Sequence, residues 1–405
     1  MGEVLNKDAL HSWIQRAIGT ENFNFTVENT TQKGEGYVGD LFFVKIDLQQ
    51  PINGLNVLYL VVKTNKRDPG SIRLMQDFCK REVFFYGTVF KEYQEFLNNK
   101  KLPVLLDMVP KCYKTFSENG NEVIILENLK KGGFMLHARE EPMNIAHLKM
   151  GLKSYAKLHA MSLALKDQKR EIFENMSKTC TSLVNQLFST SKKVFNTKTP
   201  MLVETLKEAG RPDLSILFNK YIHDKSMYTR FMEIGNTISK DQAIVHGDCH
   251  NGNMMFQYKD NDKSVPLRMV LIDFQASFIH SPVLDLSYFL WMNLSPTEAP
   301  KIKDFVEYYY TEFCSYLKQL GSDADTVFPR SIFEEHLKKY LPYGFLLILA
   351  LLEIFYLENE DTPAFLDETN SFFGGLSNDL KLKSRDQYLK RLVALVDTFF
   401  NGPYA

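Results

Sequence analysis

The sequence predicts an α+β chain in two lobes, a small antiparallel β-sheet lobe with a helix followed by a larger, mainly helical lobe. Three observations carry this expectation. A glycine-rich hexapeptide, Gly34 to Gly39 (GEGYVG), lies between two strand-like segments. An apolar run ending in Lys63 is followed by a long helical pattern with a carboxylate on its apolar face. Beyond residue 240, the motifs HGDCHNGN and LIDF are set among brief apolar runs of strand type. A chain of 405 residues is long for one core and suits two. The boundary is placed at Leu129, giving 1–129 and 130–405.

Taken in order, FNFTVEN and LFFVKIDL flank the glycines and alternate as half-buried strands do. The GxGxxG spelling is shared by dinucleotide-binding Rossmann folds and by kinases, but the first of these opens a helix, whereas a strand is expected here after Gly39. The segment therefore reads as a β-hairpin with Gly34, Gly36 and Gly39 at its tip, where backbone can approach phosphates closely. A surface hairpin with no ligand is the plain alternative. In VLYLVVKTNK, Lys63 closes an apolar strand. The next segment, SIRLMQDFCKREVFFYGTVFKEYQEF, reads as one helix with Phe78, Glu82, Phe85, Val89 and Phe96 on a single stripe. A carboxylate inside an apolar stripe needs a partner. Lys63 is the natural one, with Lys80 and Arg81 as the competing cations. EVIILENLKKGGF then gives a buried strand ending at Glu127, Asn128 and Leu129, which can offer backbone N–H and C=O groups to an adenine ring, although any strand leaving a sheet looks similar.

The chemistry sits in the later motifs. In HGDCHNGN, Asp248 and Asn253 fit the HxDxxxxN pattern of a kinase catalytic loop, and Asp273 in LIDF stands where DFG stands in a protein kinase. Phosphoryl transfer asks for an oriented acceptor oxygen and for neutralised phosphate charge. Asp248 is suited to take the acceptor proton. Mg²⁺ prefers oxygen ligands shared with nucleotide phosphates, which makes Asn253 and Asp273 suitable types. KDNDKSVP between the second and third apolar runs reads as a hairpin turn. The bland alternative is a tight turn at Gly247 and a strand-end cap at Asp273.

Taken together, the glycine loop, VVK, REVFFYG, LEN, LHA, HGDCHNGN and LIDFQ with SPVLDLSYFL resemble the ecdysteroid kinase-like family, a choline-kinase-like family of insects grouped with aminoglycoside phosphotransferases and choline kinases. The resemblance covers nearly the whole chain in order. It implies a bilobal protein-kinase-like fold, ATP and Mg²⁺ as cofactors, and a small-molecule alcohol as acceptor. It also implies Asp248 as catalytic base, Asn253 and Asp273 as metal ligands, Lys63 as the phosphate contact and Glu82 as its partner. Two spellings depart from the family. His250 replaces an aromatic Trp, as in bacterial antibiotic kinases, and Asn128 replaces an acid after Glu127.

His159 falls on the stripe of Leu148, Leu152, Tyr155 and Ser162 and reads as a hydrogen-bonded core histidine. Asp285 reads as a cap or anchor at a helix start that supports the loop around Asp248. His246 and His250 lack companions at zinc-ligand spacing. A net charge of −1 without an arginine-rich stripe disfavours nucleic acid as a partner. Five scattered cysteines, an odd number, point to reduced thiols and a cytoplasmic location. The first residues carry no apolar secretion segment, and Asn6 breaks the myristoylation pattern. PYGFLLILALLEIFYL is short, contains Glu353 and reads as a buried helix, so no membrane partner is expected. For the acceptor end, Phe345, Phe355, Tyr356, Phe372 and Phe373 can line an apolar pocket for an ecdysteroid or xenobiotic alcohol, or simply pack helices. Glu353, Glu358, Glu360 and Asp361 leave a choline-type cationic substrate open. A protein substrate is disfavoured, since no APE element follows Asp273. A pseudokinase that only binds nucleotide or hormone is the reading from another class, and intact Lys63, Glu82, Asp248, Asn253 and Asp273 argue against it.

Overall fold

The computed structural model describes residues 7–30, 39–65, 73–102, 106–118, 120–138, 140–260, 262–357 and 381–404. Gly34, Gly36, Glu358, Glu360, Asp361, Phe372 and Phe373 lie outside the described residues. Contacts divide the chain into two compact units, Met1–Met135 with Val270–Gln275, and Leu136–Met269 with Ala276–Ala405. The division falls after Met135, beyond the Leu129 expected from sequence, and the short segment carrying Asp273 groups with the first unit. Local packing explains this grouping. Phe274 is buried against Phe85, Phe90 and Tyr86, and the amide of Leu271 donates to the carbonyl of Met108 at 2.8 Å.

The first unit starts with helix α1 (Lys7–Ile18), which the sequence reading did not assign. Its buried Leu10, Trp13 and Ile14 follow the helical i, i+3, i+4 spacing. Strands β1 (Phe23–Thr30), β2 (Gly39–Ile52), β3 (Leu55–Asn65), β4 (Cys112–Glu118) and β5 (Asn121–Glu127) form one antiparallel sheet in the order β1-β2-β3-β5-β4. β1 and β2 pair from Phe23 with Leu48 to Thr30 with Phe42, so the expected hairpin is present, and a strand, not a Rossmann helix, begins at Gly39. β2 and β3 are joined through Asn53 and Gly54, both at positive φ, the combination a two-residue type I′ turn requires.

Period-two alternation gives each face of the sheet its own task. Leu58, Leu60 and Val62 of β3 point into a core with Leu10, Trp13 and Ile14 of α1, where each fully buried aliphatic side chain contributes about 1.5–3 kcal/mol. Lys63 therefore projects to the other face. There the chain forms α2 (Arg73–Phe84), a π turn (Phe85–Val89) and α3 (Phe90–Asn99). The single continuous helix expected from periodicity is thus interrupted. Phe78, Glu82, Phe85, Val89 and Phe96 are all buried as expected, and the wider π turn adds Tyr86, Phe90 and Tyr93 to the buried set.

The second unit is mainly helical. The long helix Ile145–Gln168 packs against Ile302–Gln319, and Pro282–Asn293, buried along its whole length, packs against Arg330–Leu351. That last contact is very close, because Gly344 brings backbone to backbone: a Cβ there would lie 2.4 Å from the carbonyl oxygen of Ser287. Ser287 Oγ and Trp291 Nε1 both donate to the carbonyl of Leu341. The apolar stretch within Arg330–Tyr356 meets the length and composition of a membrane span, yet 83% of it is buried inside the unit. Phe345 stacks on Phe399 with centroids 3.8 Å apart, and Tyr356 meets Tyr388 edge-on. These rings are helix packing. Strand Asp262–Leu271 begins inside the segment expected to be a turn, because antiparallel pairing favours a tight connection and the polar side chains of its first half face solvent.

Candidate active site

In the first unit three charged side chains meet, Glu82 buried, Lys63 and Asp273 partly exposed. Lys63 Nζ lies 2.6 Å from Glu82 Oε2 and 2.8 Å from Asp273 Oδ1. Glu82 is 2% exposed, and the competing cation Lys80 pairs with Asp77 instead. Burial alone would lower the Lys63 ammonium, but the attraction of Asp273 and Glu82 outweighs it and holds the charge firmly. Burial likewise pushes the Glu82 carboxyl upward, against the opposing pull of Lys63. Asp273 itself sits at φ +68°, a left-handed backbone that costs a side-chain-bearing residue about 1 kcal/mol or more and that persists where the surroundings impose it. The surroundings do so here. Phe274, fully buried among three rings, pins the next residue, and Gln275 Nε2 donates to Asp273 Oδ2 at 3.3 Å.

In the second unit, short strand Ala243–Val245 delivers the chain into a loop whose backbone is held by one carboxylate. Asp285 accepts from the amides of His246 (2.6 Å) and Gly247 (3.0 Å), and its Oδ2 is also 3.0 Å from His159 Nε2. His159 Nδ1 is 2.7 Å from the hydroxyl of Tyr309, so this histidine is the core brace expected and not a ligand. Asp285 does not cap its helix, as sequence suggested. Ser281 does so through the amide of Val283, because it is the residue just before the first turn, and this leaves Asp285 free to serve the loop.

Gly247 answers two demands at once, since its φ is +82° and a Cβ would lie 2.4 Å from the carbonyl oxygen of Ala276. Gly247→Ala is therefore expected to lower stability by at least ~1–3 kcal/mol, read as a drop in the urea midpoint.

Asp248 follows, with a donor on each carboxylate oxygen. The hydroxyl of Tyr288 donates to Oδ1 at 2.7 Å, and Asn253 Nδ2 donates to Oδ2 at 2.9 Å and to the Asp248 carbonyl at 3.0 Å. His250 Nδ1 accepts from the amide of Gly252, which leaves the proton on Nε2, 3.4 Å from Asp248 Oδ2. Burial works to raise the Asp248 carboxyl, but His250 above all, with Tyr288 and His246, brings it down to about 2. A depressed folded value stabilises the folded state above the unfolded pKa of about 3.9, and that contribution is lost as pH falls through about 2. The thermal midpoint of the parent is accordingly expected to fall more steeply than that of Asp248→Asn between about pH 4 and pH 2.

The chain matches the profile of the ecdysteroid kinase-like family over residues 33–322. It belongs to that family. No curated protein matches it. Among solved structures it is similar to a GDP complex of a mutant aminoglycoside 2′-phosphotransferase-IIIa, at 14% identity and a TM-score of 0.41 over 86% of this chain and 90% of that one. It is also similar to a type VIII aminoglycoside-3′-phosphotransferase, at 12% identity and 0.34 over 78% and 97%. Membership of the ecdysteroid kinase-like family supports a small-molecule kinase, in keeping with the α+β architecture of antiparallel sheet and helices.

Each unit, taken by itself, presents an oxygen donor of the kind a hard divalent cation prefers: the Asp273 carboxylate in the first, and in the second the Asn253 Oδ1 left over once its amide N–H groups serve Asp248. Among the described residues no cluster of three His, Cys, Asp or Glu forms a zinc-type site. At the strand end, Asn128 uses its backbone within the fold: its amide donates to the Tyr59 carbonyl and its own carbonyl accepts from the amide of Lys131. Its side chain caps the turn through the amide of Lys130, and Glu127 Oε1 accepts from the amide of Lys111. Gly39 pairs in register with Asn65. Sequence reasoning passed over Tyr288 and Gln275. Tyr288 could have been found, since it stands three residues after Asp285 and so shares its helical face.

Proposed function

We propose that this chain is an ATP- and Mg²⁺-dependent cytoplasmic kinase that phosphorylates a hydroxyl of a lipophilic small molecule, an ecdysteroid or a xenobiotic alcohol. The observation that carries the reading is the Glu82–Lys63–Asp273 cluster, three charges gathered on a sheet face where apolar residues would pack at least as well. In this reading Lys63, steadied by Glu82, contacts the α- and β-phosphates. The hairpin glycines Gly34, Gly36 and Gly39 bring backbone to the phosphates. Adenine takes backbone groups from Glu127 or Leu129 other than the Glu127 N–H, which donates to the Lys111 carbonyl, because those of Asn128 are already engaged. Asp273 and Asn253 hold the cation, which when bound supplies charge neutralisation for the transferring phosphoryl group.

Asp248 orients the acceptor hydroxyl and receives its proton. The acceptor oxygen forms a bond to the γ-phosphorus as the bond to the β,γ-bridging oxygen breaks. The electron pair leaves with ADP, and the proton passes through Asp248 to solvent.

A lipophilic acceptor is favoured over a choline-type cation by the fate of Glu353. This acid, the one of the four expected near a cationic substrate that is described, is paired with buried Lys198 and accepts from the hydroxyl of Tyr388. The test is a screen of steroid and other alcohols with ATP, with and without Mg²⁺, read as the mass shift of one added phosphate. A phosphorylated lipophilic alcohol that requires Mg²⁺ supports the reading; turnover confined to choline or ethanolamine, or nucleotide binding with no product from any alcohol, overturns it.

A further inference from the structure

Asp248 is gripped from one helix. Along Pro282–Asn293, Asp285 takes the amides of His246 and Gly247, Tyr288 reaches the Asp248 carboxylate, and Asn293 Nδ2 donates to the carbonyl of Cys249 at 3.1 Å. Three side chains of a fully buried helix thus hold four consecutive loop residues. Two of these grips are on backbone and serve the shape of the loop. The third alone is on the reacting side chain.

We propose that Tyr288 is a positioning residue for the phosphoryl transfer, its phenol hydroxyl fixing the orientation of the Asp248 carboxylate that receives the acceptor's proton. The inference rests on the function proposed above. Geometry carries it in two ways. The phenol is 5% exposed and donates to Oδ1 at 2.7 Å, in the range of a charge-assisted O–H to carboxylate bond. Asn253 fills the same role on Oδ2, so rotation of the carboxylate breaks both bonds at once. A carboxylate with a donor on each oxygen is also a weak base, which accepts its proton late, once the new oxygen–phosphorus bond is forming.

Tyr288→Phe removes the hydroxyl and keeps the ring. It is expected to lower kcat roughly 10- to 100-fold, the weight of one hydrogen bond to a charged group, with KM for ATP unchanged. The acidic limb of the kcat/KM profile is expected to move to higher pH, because the Asp248 carboxylate loses a donor. A purely structural tyrosine would leave that limb in place. Site-specific 3-fluorotyrosine at 288 keeps the fold and makes the phenol a stronger donor, so it should restore kcat relative to Tyr288→Phe and shift the limb the opposite way. Parental kcat and a parental limb in Tyr288→Phe would overturn the inference, as would failure of fluorotyrosine to restore kcat. Full activity of Asp248→Asn would remove Asp248 as the base and overturn this inference with it, whereas a parent protein that binds nucleotide but phosphorylates no alcohol would instead sink the underlying kinase reading.

Discussion

Asp248→Asn is expected to lower kcat by roughly 10²–10⁴-fold while leaving nucleotide affinity and the cooperative unfolding transition near those of the parent. The substitution is nearly isosteric. It keeps an acceptor oxygen for the hydroxyl of Tyr288, yet it removes the negative charge and the ability to take a proton. The backbone of the loop should not move, because Asp285 and Asn293, not Asp248, hold it. Turnover of the first alcohol found by the screen, followed alongside isothermal titration of ATP, separates these effects. A variant that phosphorylates as fast as the parent would show that Asp248 is not the base.

Lys63→Met is expected to abolish activity and to destabilise the first unit by about 3–5 kcal/mol, as breaking a buried ion pair from one side does. The reason is electrostatic. Without the ammonium, the carboxylates of Glu82 and Asp273 are left with no cation between them, and Glu82 is almost wholly removed from water. The double variant Lys63→Met, Glu82→Leu should recover much of that stability, because an apolar pair fills the same stripe, but it should recover no activity. Urea unfolding of the two single variants and the double one completes the cycle. If the double variant is no more stable than Lys63→Met, the unpaired charge of Glu82 is not the source of the loss.

Much of the site was legible because its residues contradict their local setting. A carboxylate in the middle of the stripe Phe78, Phe85, Val89 and Phe96 asks for a cation, and strand β3 supplies one whose side chain alternation sends to the same face. The antiparallel pairing of β1 with β2 was legible because the segment after Gly39 alternates as a strand does. Other features left no such mark. The π turn at Phe85–Val89 shifts a helix register by tertiary packing, and nothing in a 3.6-residue period announces it. Tyr288 was hidden inside SPVLDLSYFL, where a tyrosine is an ordinary core residue until its hydroxyl is seen to reach Asp248.

The sequence by itself determined the family, through the resemblance of its motifs taken in order, and also the antiparallel sheet and the identity of the charged and amide side chains, which follow from periodicity, glycine placement or motif spacing along a single stretch of chain. Tertiary structure alone decided which groups those side chains answer to. Val270–Gln275 joins the first unit because Phe274 packs against the rings of the π turn and its neighbours, and this brings Asp273 to Lys63 across 210 positions of sequence. The carboxylate of Asp248 is similarly governed by a helix 40 residues onward. Hydrogen bonds act over about 3 Å of space regardless of how far apart their partners lie along the chain, so these pairings exist only once the core has folded.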